Sequence, residues 1–167
     1  TPHPRSPLQV TPTSHGGVFF LLNVALAWEL YGDFTRPRHA LLSVSPWQFL
    51  HAVGFALLGR AFAVDPLAVW LRAQAPFSRP RLASALGGTP LGLLPGTEAS
   101  RLRSADGLAT LAPRSARPDD ELRAWWPLLR RRLSLALNLP EREAIATCLN
   151  LPARIERRGD RVDVCFS

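Results

Sequence analysis

Four histidines, two cysteines and a basic set made up entirely of arginine carry the chemistry this chain can offer. His15-Gly16-Gly17 has the form of the His-Gly-Gly loop whose backbone N–H groups build the oxyanion hole of some lipases and esterases. That site also needs a serine on a Gly-x-Ser-x-Gly elbow, and the sequence contains none. The expectation at this point is a flexible entry into a helix. His3, His15, His39 and His51 show no metal-ligand spacing, and no cysteine lies near them in sequence. His51 falls four residues after Trp47 on a candidate helix, so packing is its expected role. No metal, no cofactor and no small-molecule substrate is indicated.

The absence of lysine removes whole classes of chemistry. A phosphate-loop lysine, a Schiff-base lysine and a protein-kinase lysine are all missing from these residues. Cys148 and Cys165 form no CxxC pair and are expected to be two reduced, buried thiols. Arg158-Gly159-Asp160 is the tripeptide integrins recognise, but Gly-Asp between two strands is what a tight turn wants. Arg130-Arg131-Arg132 reads as the solvated side of a helix whose other face carries Leu129 and Leu133. No catalytic residue is assigned. An enzyme of unrecognised type would be marked by titratable groups converging in one pocket, for example His51 with Asp33 or Glu29.

The net charge of +7 makes its distribution worth following. Residues 1–74 hold five Arg against three acids (net +2), residues 75–118 six against two (net +4), and residues 119–167 nine against eight (net +1). The excess sits in the Pro/Gly-rich middle instead of on one folded face, which argues against a nucleic-acid domain. The chain has Met 0, so it is expected to be a fragment or a processed product.

The elements that would position these residues are mainly helical, with α+β as the alternative fold class. Residues 1–14 read as an irregular lead-in, because Pro2, Pro4, Pro7 and Pro12 leave no run long enough for a helix. Residues 15–74 read as a helical unit. Its first helix spans Val18 to Tyr31, interrupted only by Asn23 and Glu29, so it is hydrophobic nearly all round and must be buried. Gly32 is placed to stop it, and a loop through Pro37 follows. Ser45-Pro46-Trp47-Gln48 is a capping box with proline at the first helical position, opening a helix to Leu58 with Gly59 as its stop. Asp65-Pro66 repeats that logic for a helix from Leu67 to Gln74.

Residues 75–117 hold enough proline and glycine to break every candidate element, and read as a linker or insertion. Residues 118–167 start with Pro118-Asp119-Asp120-Glu121, acidic residues suited to a helix N-terminus. The apolar phase from Leu122 to Leu137 crosses Pro127, which predicts one kinked helix or two abutting ones ending by Asn138. A helix from Glu141 to Leu149 and a β-hairpin over Ala153–Phe166 follow, with Val162, Val164 and Phe166 on one face. An isolated hairpin is marginal, so it should pack on the last helices or pair with strands outside the chain. This last part is expected to pack on residues 15–74 as one domain.

The apolar stretches suit burial in protein better than a membrane. Ala40 to Gly59 carries no formal charge, but the helix within it is only about 13 residues, or ~20 Å. A hydrocarbon core of ~30 Å is out of its reach. Two buried helices account for the apolar stretches better than two spans, and a cytoplasmic location is expected.

Ser14-His15-Gly16-Gly17-Val18-Phe19-Phe20-Leu21-Leu22-Asn23, followed by Leu30-Tyr31-Gly32-Asp33-Phe34-Thr35, resembles a pattern in uncharacterised accessory proteins. These are encoded with extracellular contractile injection systems, the phage-tail-like particles of bacteria and archaea. Ser45-Pro46-Trp47 and Asp65-Pro66 fall where that pattern has its next helix starts. Pro152-Ala153-Arg154-Ile155 with Val162-Asp163-Val164 resembles its C-terminal strand region. The pattern continues past that region, whereas this chain stops at Ser167, in keeping with a fragment. The resemblance implies a structural or assembly component that works through other protein subunits, and it implies no catalytic residues. Phe19, Phe20, Trp28, Trp47, Trp70, Trp125 and Trp126 are the expected interaction or packing anchors. A membrane-associated helical protein is the alternative reading.

Overall fold

The clearest local signal in the chain builds the helix it predicts. In the computed structural model, which describes residues 7–28, 45–74 and 125–167, Ser45 caps helix α2 (Pro46–Leu58). The Gln48 amide donates to Ser45 Oγ at 3.2 Å, and the Ser45 amide donates back to Gln48 Oε1 at 3.0 Å. Two N–H groups that a helix start leaves without intrahelical partners are thereby satisfied. The first helix, expected to run to Tyr31, ends at Ala27 with Trp28 as its C-cap. Gly32, the loop through Pro37, the insertion 75–117 and the acidic start at Pro118–Glu121 lie outside the described residues.

Among the described residues the chain is mostly helical, with one three-stranded antiparallel sheet. In chain order, strand β1 (Gln9–Thr13) leads through a 3₁₀ turn (Gly16–Phe19) into α1 (Phe20–Ala27). After α2 come a single helical turn α3 (Arg60–Ala63) and α4 (Pro66–Gln74). The last third holds α5 (Trp125–Leu137), α6 (Glu141–Leu149), β2 (Ala153–Arg158) and β3 (Arg161–Phe166).

The lead-in 1–14 is therefore not irregular throughout. The prolines forbid a helix, but they do not forbid an extended strand at a sheet edge, where a missing N–H costs no ladder bond. β1 occupies such an edge in the order β1-β2-β3, with Thr11 opposite Ile155 and Thr13 opposite Ala153. The third strand that the hairpin needs comes from the other end of the same chain. The hairpin closes as expected: Gly159 takes φ 61° at the first position of a two-residue turn, as a type II′ turn requires.

The first helix differs in two ways from an all-round buried cylinder. It opens with the 3₁₀ turn, and burial follows a stripe: Val18, Leu21, Ala25 and Trp28 are sealed while Phe20, Asn23 and Ala27 face outward. The stripe packs with Phe49, Leu50 and Val53 of α2, Leu67 and Leu71 of α4, Leu129 of α5, Leu149 of α6 and Ile155 of β2. Packing thus joins the helical unit to the C-terminal elements in one core. The short α3 has no periodic signature of its own. Its Phe62 is fully buried, and a Cβ on Gly54 would come within 2.5 Å of the Phe62 ring.

α5 is continuous over its described residues, from Trp125 across Pro127 to Leu137. It ends at Asn138 in the left-handed region (φ 52°), and the Leu139 amide donates to the Ser134 carbonyl at 3.2 Å. That is the six-to-one bond of a Schellman closure.

Gly16 and Gly17 have a different role from the flexible entry expected of them. A Cβ on Gly16 would lie 2.3 Å from that of Ala153, and one on Gly17 would lie 1.9 Å from the Cys148 carbonyl oxygen. The Gly16 amide also donates to the Leu151 carbonyl at 2.8 Å. These glycines let two backbones touch. Gly17→Ala should therefore cost more than about 2 kcal/mol in urea-monitored unfolding, because backbone and not a movable side chain must give way. A cost within a few tenths of that for an exposed Gly→Ala change would contradict the close approach.

Candidate functional site

The polar residues with the most chemical potential gather where β1 meets α4 and α6. Asp65 is 6% exposed and its carboxylate accepts three hydrogen bonds. They come from Thr13 Oγ1 at 2.6 Å, the Ser14 amide at 2.9 Å and the Leu67 amide at 2.8 Å. The last is the N-cap bond of α4, with Pro66 at the first helical position as the sequence indicated. The first two tie the strand to the helix across about 50 residues of chain. Thr13 Oγ1 in turn accepts from the His15 amide at 2.9 Å.

His15 is 8% exposed, with Nδ1 2.9 Å from Asn150 Oδ1. An amide oxygen can only accept, so Nδ1 carries the proton in this pairing. The ring also lies 6.1 Å from that of Phe62 in a tilted arrangement. The oxyanion-loop likeness of His15-Gly16-Gly17 ends here: the Gly16 N–H is spent on Leu151 and the imidazole Nδ1 on Asn150. Sequence reasoning missed the roles of Asp65 and Asn150 in this cluster. The Asp-Pro pair signalled a cap, but nothing local signalled the partners 51 and 135 residues away.

The other candidates are kept apart. His51 is half-buried against Phe62 at 6.1 Å, the packing role expected of it. Asp33 and Glu29, considered with it, lie outside the described residues, as do His3 and His39. Among the described residues no three His, Cys, Asp or Glu side chains gather in a metal-binding group. Cys148 and Cys165 are free thiols, half-buried instead of sealed, and burial pushes the Cys148 thiol pKa up. Arg130, Arg131 and Arg132 are half-buried too, not simply solvated. The Arg130 guanidinium reaches the Ala56 carbonyl at 3.4 Å, with its stem along the α2–α5 contact. Arg158-Gly159-Asp160 is the exposed hairpin tip.

The aromatic anchors divide by environment. Trp28 and Trp70 belong to the core, and Phe19, Trp47 and Trp126 pack half-buried against it. Trp70 takes Trp47 edge-on at 5.5 Å and Phe19 at 6.3 Å. The side chain of Trp125 lies outside the described residues. Phe20 is the exception: it is 39% exposed and stacks at 5.1 Å on Phe166, itself 44% exposed. Two large rings from distant parts of the chain thus form one aromatic surface. Among the described residues no helix is long and apolar enough to cross a membrane.

Burial, followed by the nearby Arg72 charge, lowers the His51 pKa below its usual 6.5. The unfolded chain therefore binds the proton more readily, so stability falls as pH drops through that value and is recovered above it. His51→Gln should flatten the loss of unfolding midpoint between about pH 7.5 and about pH 5.5. A wild-type midpoint that rises on acidification through this window would reverse the assignment. Asp65→Ala should cost about 3 kcal/mol, through the lost cap and the donors stranded on Thr13 and Ser14. Asp65→Asn should cost less, and denaturant unfolding separates the two.

No family model matches the chain, and neither a curated protein nor a solved structure matches it.

Proposed function

We propose that this chain is a non-enzymatic structural or assembly component of a contractile injection system, acting through contacts with other protein subunits. The observation that carries the interaction role is the stacked Phe20–Phe166 pair, aromatic area left at the surface while Trp28 and Trp70 are buried. Exposed aromatic surface of this kind is typical of the energetic centre of protein interfaces. The particle context comes from the sequence likeness over Ser14–Asn23 and the strand region. Within that likeness, Gly16, Gly17 and His15 serve the framework: close backbone approach and a buried hydrogen bond. Residues that build a frame in this way suit a scaffold. The two free thiols suit the reducing cytoplasm, the compartment assigned in this reading.

Co-expression with the sheath, tube and baseplate subunits encoded beside its gene tests the proposal. The expected result is a monodisperse complex on size exclusion, weakened at least about ten-fold by Phe20→Ser or Phe166→Ser with unfolding midpoints little changed. Absence of such genes, or failure to bind any of their products, would remove the reading. Flotation with lipid vesicles that survives a carbonate wash would replace it with membrane association.

A further inference from the structure

A second feature of the molecule lies away from the aromatic pair. Between the C-terminal end of α2 and the outer face of α6 is a cleft of about 460 Å³, a size seen for small-ligand sites. Leu57, Ile145 and Pro152 supply apolar walls, and Ser14, His15 and Arg142 supply the polar lining. The geometry points to a binding site for a small apolar acid: a compact aliphatic group that carries a carboxylate.

The charge pattern of α6 selects the carboxylate. Arg142, Ile145, Ala146 and Asn150 all line the cleft, at the spacing that puts residues on one helix face. Among the described residues no carboxylate lines the cleft, the neighbouring Glu141 and Glu143 included. A guanidinium beside apolar walls, with no acid among those residues, favours an anion from outside. Its planar fork matches a carboxylate with two parallel hydrogen bonds. The apolar walls select the rest of the ligand, since a free phosphate would leave Leu57, Ile145 and Pro152 uncovered.

The floor is fixed before any ligand arrives. Asn150 holds the His15 ring through Nδ1, and Phe62 packs against the ring. Among the described residues Nε2 has no hydrogen-bond partner, so the ring keeps one acceptor atom for a ligand N–H. Ser14, exposed at the edge, adds a hydroxyl donor. An acylated aliphatic amino acid, or the C-terminal residue of a peptide, presents all three matching features: carboxylate, N–H and aliphatic side chain. A free short-chain acid presents two. The site is separate from Phe20 and Phe166, so it and the assembly role stand or fall independently.

Titration of the full isotopically labelled chain with N-acetyl-leucine, followed by amide and histidine-ring NMR, tests the site. Saturable shifts are expected at His15, Arg142 and Ile145, with those of the hairpin tip unchanged. N-acetyl-leucinamide, which lacks the charge, should bind at least about ten-fold more weakly. Arg142→Gln and the cleft-filling Ala146→Phe should each reduce N-acetyl-leucine binding by a similar factor, while Arg154→Gln, outside the cleft, should not. Both cleft positions are exposed, so their spectra should otherwise match the wild type. Hexanoate identifies the source: equal binding indicates a free acid, and weaker binding indicates an amino-acid or peptide terminus. Overturning results are no saturable shift with either acid, equal binding of the leucinamide, or unchanged binding in Arg142→Gln.

Discussion

The rest of the structure depends on the contact between the glycine pair at the start of the first helix and the chain around residues 148–153. Gly17 lies so close to the Cys148 carbonyl, and Gly16 so close to Ala153, that no side chain fits between them. This approach brings the 3₁₀ turn onto α6 and β2, aligns β1 as the outer strand of the hairpin, and places Val18 and Leu21 in the core with Leu149 and Ile155. Close packing of backbone against backbone leaves no slack for a substituent. A register error there would separate the N-terminal unit from the strands that follow it.

Asp65 secures the same junction from the other side. Its carboxylate joins the start of α4 to the end of β1, and Thr13 passes the connection on to the backbone of His15. A buried carboxylate is costly unless hydrogen-bonded, and here one bond caps α4 while two reach the end of β1. Arg157 adds a link from β2 to α4 through Gln74 Oε1 at 2.6 Å. Polar residues that look reactive in sequence are thus engaged in holding secondary structure together. By contrast, the ion pair of Arg161 with Asp163, 78% and 45% exposed, adds little to stability because water competes for both partners.

Much of the helical framework was legible because its signals are local. Ser45-Pro46 with Gln48, Asp65-Pro66, Gly59 and Asn138 mark helix ends through short-range geometry, and the structure places helix ends at all four. The hairpin was legible for the same reason, through alternation and a Gly-Asp turn. Strand β1 was not. Its Val-Thr-Pro-Thr sequence has no strong periodicity, and it is a strand because β2 offers it an edge. α3 has no sequence signature because a single turn is too short to show a period. The aromatic residues are visible in the sequence, but only packing separates sealed Trp28 from exposed Phe20.

The sequence by itself determined the capped starts of α2 and α4, the ends at Gly59 and Asn138, the hairpin turn, the lack of lysine chemistry within these residues, and the presence of a greasy segment needing cover. These depend on capping, backbone dihedrals and side-chain type, which act within a few residues. Only the tertiary structure decided that the glycine pair is a contact and not a hinge, that Asp65 bridges strand and helix, and that His15 faces Asn150. Each depends on groups brought together from distant parts of the chain. Those meetings follow from which surfaces fit when the core closes, and no window of local sequence contains that information.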